Sequence, residues 1–283
     1  MNFDLVFSNP PYNKTLDLKI MNEVWDCADE FVVIHPSTWL LDIKGSFNLY
    51  NIFRNKIENK VQSFQMFNGC NEFGIVVNTP IVISHLNKKY QGEVHVDYFH
   101  ESFSVDSVFD VTKFGAKYKT LVEPMMIMAQ EYIKKHGSIW SNRVSAEDTD
   151  DSLFYCQLAD IIGNIDLYSK TNQMVKDDFY TMTIKSKKDN IGIRKTTIKN
   201  TYAFKTEEER TNFLNYCNTD FARFLLAIIK NNTHIDSGET NMIPWLDFTQ
   251  EWNDEKLFDK FNISQEQQDL IRDFLPDYYG IRK

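Results

Sequence analysis

No apolar run in the 283 residues approaches the ~20 needed to cross a bilayer, and the first residues form no basic-plus-apolar signal region. The four cysteines, Cys27, Cys70, Cys156 and Cys217, lie far apart and make no CxxC pair. That spacing argues against a zinc site and a disulfide framework, and it fits a reducing compartment. The six histidines show no HExxH or other ligand spacing, so no metal centre is expected. Together these absences predict a cytoplasmic chain without membrane contact. Glycine is scarce as well. There are ten, the closest pair is Gly69 and Gly74, and none falls in a GxG arrangement. Internal repeats and low-complexity tracts are also missing.

A positive charge excess is lacking too: the formal net charge is −9. Nucleic-acid binders usually draw affinity from neutralising phosphates, so the total speaks against one. The distribution speaks differently. Between Lys185 and Lys205 stand seven basic residues (Lys185, Lys187, Lys188, Arg194, Lys195, Lys199 and Lys205) against the single acid Asp189. The acids gather in Glu147–Asp151, in Glu207–Glu209 and in the last forty residues.

What is present is a real core: hydrophobic residues make up 42% and aromatics 14%, which excludes a disordered chain. "FDLVFS" has the length and apolar content of a strand buried on both faces. "LDLKIMNEVWDCAD" carries apolar residues at helical spacing, and "EFVVIHPSTWL" reads as a second buried strand closed by proline. "FNLYNIFRNKIENK" follows as a helix, then "VQSFQMF" and "GIVVNTPIVISHL" as strands. This alternation is that of an α/β sheet. After Lys89 the texture shifts to short alternating pieces, and the domain boundary is expected near 90. "VEPMMIMAQEYIKKHG" predicts a helix with Met125, Met126 and Met128 in its core, and 145–152 a surface loop. "TEEERTNFLNYCNTDFARFLLAIIK" predicts one amphipathic helix opened by a Thr206/Glu209 capping box. A second box, Ser264/Gln267, precedes "DLIRDFL".

The chemistry gathers in Asn9-Pro10-Pro11-Tyr12, at the carboxyl end of the first strand, where α/β sheets bind ligands. The Asn9 side-chain oxygen and the Pro10 carbonyl are two acceptors, the second fixed in direction because proline locks φ. Held about one hydrogen-bond length from a common point, they take both protons of a planar –NH2 group. That pulls a delocalised amine toward tetrahedral geometry and aims its lone pair at an electrophile, with the prolines supplying pre-organisation. Tyr12 offers a ring on which an extruded base stacks, a contact of roughly 1–3 kcal/mol. The plainer alternative is a proline-stiffened turn with Tyr12 in the core.

On these residues the chain resembles the DNA adenine methyltransferases, which methylate the exocyclic amine with S-adenosylmethionine. "FDLVFSNPPY" looks like the family's catalytic motif, and "ADEFVVIHPSTWLLD" is similar to its next strand and Pro-Ser turn. "FNGCNEFGIVVNTPIVISHLNKK" resembles its later strand pair. "IPWLDFTQEWNDEKLFDKFNISQEQQDLI" looks like the end of the target-recognition region of restriction-modification methylases. The resemblance implies a partial Rossmann-like methyltransferase sheet over 1–90 and a mixed α+β target-recognition domain over 91–283. It implies that Asn9 and Pro10 orient the amine, with Pro11 stiffening the turn, while Tyr12 and Phe73 sandwich a flipped adenine of double-stranded DNA. The basic window Lys185–Lys205 is then a hairpin gripping phosphates or a solvated surface hairpin.

The family's glycine-rich cofactor loop precedes the catalytic motif, and here only eight residues do. The resemblance therefore implies that the S-adenosylmethionine-binding half is missing, leaving Phe3–Phe7 an exposed apolar edge. A separate cofactor-binding or restriction subunit would restore the site; an inactive remnant that binds DNA or a subunit is the alternative. Protein-glutamine or RNA methyltransferases share the motif but usually end soon after the catalytic fold. Trp245, Phe248 and Trp252 read as a core plug, and His35 as a hydrogen-bonded structural residue rather than a base.

Overall fold

The first strand ends where its prolines forbid further ladder bonds, and the chain turns back through a helix to lay a second strand parallel beside it. The computed structural model describes residues 3–41, 48–67, 69, 73, 81–98, 101–112, 114–144, 153–160, 179–184, 201–229 and 240–275; for 14, 155–160, 179–184 and 201 it describes the backbone alone. These residues fall into two compact units, the first reaching Tyr118.

In the first unit the elements are β1 (Phe3–Ser8), α1 (Leu16–Val24), β2 (Ala28–Pro36), α2 (Thr38–Leu41), α3 (Asn48–Ile57), β3 (Val61–Phe67), β4 (Ile81–Asn87), β5 (Val94–Tyr98) and β6 (Glu101–Val105). They build one six-stranded sheet in the order β1-β2-β4-β3-β5-β6. β1 pairs parallel with β2, and β3 parallel with β5. β4 runs antiparallel between β2 and β3, and β6 antiparallel to β5. The sheet is thus mixed α/β.

Its two faces differ. Phe31, Val33, Phe64, Met66, Val82, Leu86, Val94 and Val96 point to one face and are buried with Leu18 and Met21 of α1 and Phe53 and Ile57 of α3. Spacing of three and seven along α1 puts Leu18, Met21 and Trp25 on one stripe, and Trp25 stacks on Phe31 at 5.1 Å. The opposite face carries Leu5, Phe7, Glu30, Val32, Ile34, Ile83 and His85, which stay exposed or half-exposed. β1 is the exposed apolar edge that the resemblance implies and not the strand buried on both faces that its apolar run predicts: among the described residues it pairs on one side alone, and Phe3, Leu5 and Phe7 are exposed.

The unit runs on past the boundary expected near 90, because β5 pairs with β3 and carries β6 with it. Short strands with polar alternate residues gave that stretch too little apolar content to be read as part of the first sheet.

The second unit has α4 (Glu123–His136), the strands β7 (Phe154–Asp160), β8 (Phe179–Ile184) and β9 (Thr201–Phe204), then α5 (Glu207–Cys217), α6 (Asp220–Ile229), α7 (Asp254–Lys260) and α8 (Gln265–Phe274). Pro124 stands in the first turn of α4, and Gly137 ends it at φ 86°, a left-handed cap that suits glycine. Met125 and Met126 are buried on its core side and Met128 is half-buried. Both expected capping boxes form, Thr206 with Glu209 and Ser264 with Gln267.

The single helix expected over 206–230 is two helices. Asp254 accepts from the backbone N–H of Asp220 (3.0 Å) and Phe221 (2.8 Å), and the Thr219 hydroxyl accepts from the Ala222 N–H at 3.2 Å. These bonds cap a fresh helix start at Asp220 and break the first helix at Asn218. Trp245 stacks with Phe204 and meets Phe213 and Phe248 within 5.0–6.1 Å, while Phe248 and Trp252 are buried. This is the expected core plug.

Candidate active site

β1 delivers the Asn-Pro-Pro-Tyr turn to the carboxyl end of the parallel β1–β2 pair, where β2 also closes with Pro36. Asn9 and Pro11 are exposed, Pro10 is buried and Tyr12 is half-buried. The alternation seats one proline in the protein and leaves the amide outside. The Tyr12 hydroxyl donates to Asn9 Oδ1 at 2.7 Å. This bond turns the amide oxygen of Asn9 toward Tyr12. Carbonyl oxygens have two lone pairs, and the second remains for another donor.

Tyr12 heads a 3-10 turn, Asn13–Thr15, that runs into α1. Thr15 sits at φ 65°, ψ 19°, in the left-handed region that a β-branched residue rarely adopts. Strain of this kind persists only where the surroundings over-determine the backbone. Here the two prolines fix one side of the turn and α1 the other.

Beneath the turn lies a buried polar chain. Asp17, in the first turn of α1, places Oδ2 3.6 Å from His35 Nδ1, an electrostatic contact longer than a hydrogen bond. His35 Nε2 shares a 2.8 Å hydrogen bond with Ser84 Oγ on β4. Asp17 is 4% exposed, and His35 and Ser84 are fully buried. Burial lowers the His35 pKa from its ordinary value, partly offset by the Asp17 carboxyl. Trp39 and Phe53 pack their rings against the imidazole at 5.2 and 6.3 Å. The order Asp–His–Ser invites comparison with a nucleophilic triad, but full burial of His35 and Ser84 shuts out a substrate. His35 is a structural residue, as expected. Burial and then Asp17 raise the Tyr12 pKa, so the phenol keeps its proton and remains the donor to Asn9.

Phe73 is exposed, and its ring meets Phe67 edge-on at 5.8 Å. Phe67 ends β3, which lies three positions from β1 and runs in the same direction, so both belong to the carboxyl end of the sheet. The structure brings Asn9 and Tyr12 into contact and sets Phe73 against Phe67. The basic residues Lys185, Lys187, Lys188, Arg194, Lys195 and Lys199, and the loop 145–152, lie outside the described residues. The strands nearest the basic window, β8 and β9, both pair with β7 and not with each other. Asp17, Ser84 and Thr15 had no sequence signal. An acid in a helix's first turn and a serine in an apolar strand are ordinary, and they become a site only when three elements meet.

Among the described residues no group of histidine, cysteine or carboxylate side chains has the arrangement of a metal site, and no helix is long and apolar enough to cross a membrane. No protein-family model and no curated protein matches the chain. Among solved structures, the chain is similar to the type IIL restriction-modification enzyme MmeI in complex with DNA (TM-score 0.39, 8% identity, 96% of this chain and 53% of that one). It is also similar to the type IIG restriction endonuclease BpuSI (TM-score 0.33, 11% identity, 92% of this chain and 44% of that one). The chain thus spans about half the length of either.

Proposed function

We propose that this chain is the catalytic and target-recognition portion of a DNA adenine methyltransferase, transferring a methyl group from S-adenosylmethionine to the exocyclic amine. The observation that carries the reading is the exposed Asn9 amide, held by Tyr12, at the carboxyl end of a parallel strand pair. Asn9 Oδ1 and the Pro10 carbonyl accept the two amine protons. The nitrogen lone pair, withdrawn from the ring, is then directed away from both oxygens. Tyr12 supplies a stacking face for the extruded base and, through its hydroxyl, the orientation of Asn9. The amine sheds its proton to solvent after transfer, since neither Asn9 nor Tyr12 is a base at neutral pH.

This chain's residues do not fit the methyl donor. The sequence has no GxG turn, and no described strand leads into a glycine-rich loop that would admit a nucleotide. The chain's own part is to bind and orient the amine, with the donor held by a separate or further cofactor-binding portion. Double-stranded DNA is the substrate, and the basic window Lys185–Lys199 its phosphate contact.

The test is methyl transfer to an adenine-containing duplex by the chain joined to such a portion, with purified chain alone showing no S-adenosylmethionine binding by calorimetry. Asn9→Ala should abolish transfer while leaving duplex affinity nearly unchanged. Full activity in Asn9→Ala would overturn the reading.

A further inference from the structure

Three buried polar side chains of the first unit meet beneath the Asn-Pro-Pro-Tyr turn, and packing does not account for them. Along β2 the inward positions read Phe31, Val33 and His35, so polarity enters only at the carboxyl end. Register sets Ser84 of β4 opposite Val33, diagonal to His35, and α1 adds Asp17 beside the buried Leu18. Trp39 and Phe53 already wall the imidazole. Apolar side chains would fill the same space at less cost, because a buried carboxylate and a buried imidazole both lose hydration.

The chain of polar groups leads to Tyr12. Ser84 Oγ anchors His35 Nε2 at 2.8 Å, which leaves Nδ1 to face Asp17 Oδ2 at 3.6 Å. Asp17 stands five residues after Tyr12, and the segment between them is the 3-10 turn with the left-handed Thr15 at its end. So short a segment, fixed at both ends, carries the placement of Asp17 to the phenol. Electrostatics joins the same two residues. After burial, the cause that raises the Tyr12 pKa is Asp17, the one charged group among the described residues that does so. His35, facing Asp17 from β2, is kept neutral by burial, and Ser84, Trp39 and Phe53, which meet its ring from β4, α2 and α3, carry no charge.

The Tyr12 hydroxyl holds Asn9 only while it keeps its proton and its place. A buried carboxylate near it favours the neutral phenol. The contacts of Asp17 with His35, and of His35 with Ser84, tie the first turn of α1 to β2 and β4. We propose that Asp17, steadied by His35 and Ser84, is a positioning residue that acts through Tyr12: it sets the hydroxyl that turns the Asn9 amide oxygen. The inference rests on the proposed reaction for its rate readout, and it adds a residue that the reaction does not by itself require.

The experiment is a double-mutant cycle of Asp17→Asn and Tyr12→Phe, read in methyl transfer by the chain joined to a cofactor-binding portion. Asparagine keeps the shape of aspartate and lacks its charge. Asp17→Asn should lower kcat by about two- to fivefold, no more than Tyr12→Phe does, and leave the KM for duplex unchanged. With Tyr12→Phe already in place it should cost nothing further. The alkaline limb of the rate profile should move to lower pH in Asp17→Asn and vanish in Tyr12→Phe. Losses that multiply in the double variant, or a limb that stays in place, would make Asp17 a packing residue and overturn the proposal.

A second measurement needs no methyl donor. In the full chain isotopically labelled at tyrosine Cζ, the Tyr12 resonance is identified by its loss in Tyr12→Phe. It should titrate at lower pH in Asp17→Asn than in the wild type. Should Asp17→Asn fail to fold, Ser84→Ala, which frees the imidazole from its far anchor, carries the cycle: its loss in rate should be seen with Tyr12 and be absent with Tyr12→Phe. A titration that moves in a chain incapable of transfer keeps the positioning role and removes the proposed reaction. Transfer at full rate in Asp17→Asn, with Tyr12 titrating as in the wild type, does the reverse.

Discussion

The Tyr12 hydroxyl and Asn9 Oδ1 are 2.7 Å apart, three residues of chain bent so that an aromatic side chain holds an amide by its oxygen. One residue thus has two separable parts: a ring that offers a stacking face and a hydroxyl that sets the direction of Asn9. Tyr12→Phe keeps the ring and deletes the hydroxyl, at a cost of about 1 kcal/mol, or roughly fivefold in transfer rate. Tyr12→Ala deletes both and adds about 1–3 kcal/mol of lost stacking, read as weaker binding of a duplex with a mispaired target adenine. Steady-state methyl transfer with each variant separates the two. Full transfer by Tyr12→Phe would show that the hydrogen bond does not orient Asn9.

His35 makes the fold sensitive to acid. Its folded pKa lies below the ordinary histidine value of about 6.5, because burial disfavours the imidazolium more than the Asp17 carboxyl favours it. At pH values between the folded and unfolded pKa the unfolded chain binds the extra proton, so stability falls as pH drops below about 6.5 and is level above it. One such group gives a slope of at most about 1.4 kcal/mol per pH unit. His35→Gln should lower stability at neutral pH by disturbing the contacts with Ser84 and Asp17, yet flatten that part of the slope. Urea unfolding at several pH values between about 5 and 8 measures it. An unchanged slope in His35→Gln would assign the acid sensitivity elsewhere.

The strands that carry the site were legible because their signals are local: an apolar run and a proline that ends it mark β1 and β2 alike. So were the starts of α5 and α8, where Thr206 with Glu209 and Ser264 with Gln267 satisfy backbone donors within three residues. What escaped depends on partners distant in sequence. The break between α5 and α6 is made by Asp254, 34 residues beyond Asp220. β5 and β6 belong to the first sheet through β3, some thirty residues earlier, and their own polar alternation hides it. The Asp17–His35–Ser84 chain draws on α1, β2 and β4 at once.

The Asp254 cap is testable by stability alone. Its carboxylate takes the first two N–H groups of α6, a helix buried at every residue from Phe221 to Ile229, and charge strengthens both bonds. Asp254→Ala leaves those donors without a side-chain acceptor and should cost about 1–2 kcal/mol. Asp254→Asn keeps one acceptor and should recover about half. Chemical unfolding followed by tryptophan fluorescence, with Trp25 and Trp39 of the first unit replaced by phenylalanine in every protein compared, reads the second unit through Trp140, Trp245 and Trp252. If both variants unfold at the wild-type midpoint, the helix start is set by Thr219 and not by Asp254.

Thr15 ties stability to the site in opposite senses. A β-branched residue at φ 65° costs about 1–2 kcal/mol relative to a right-handed one, and glycine avoids that cost. Glycine also loosens the unfolded chain, which takes back roughly 0.5–1 kcal/mol. Thr15→Gly is therefore expected to be as stable as the wild type or slightly more so, by up to about 1 kcal/mol, whereas Thr15→Pro, locked near φ −65°, should be strongly destabilised. The same relief frees the 3-10 turn that carries Tyr12, so Thr15→Gly should transfer methyl groups more slowly although it melts no lower. That opposition is the signature of strain retained for positioning. Paired thermal melts and transfer assays on Thr15→Gly decide the matter: a lower melting temperature together with unchanged transfer would mean the left-handed residue serves the fold and not the site.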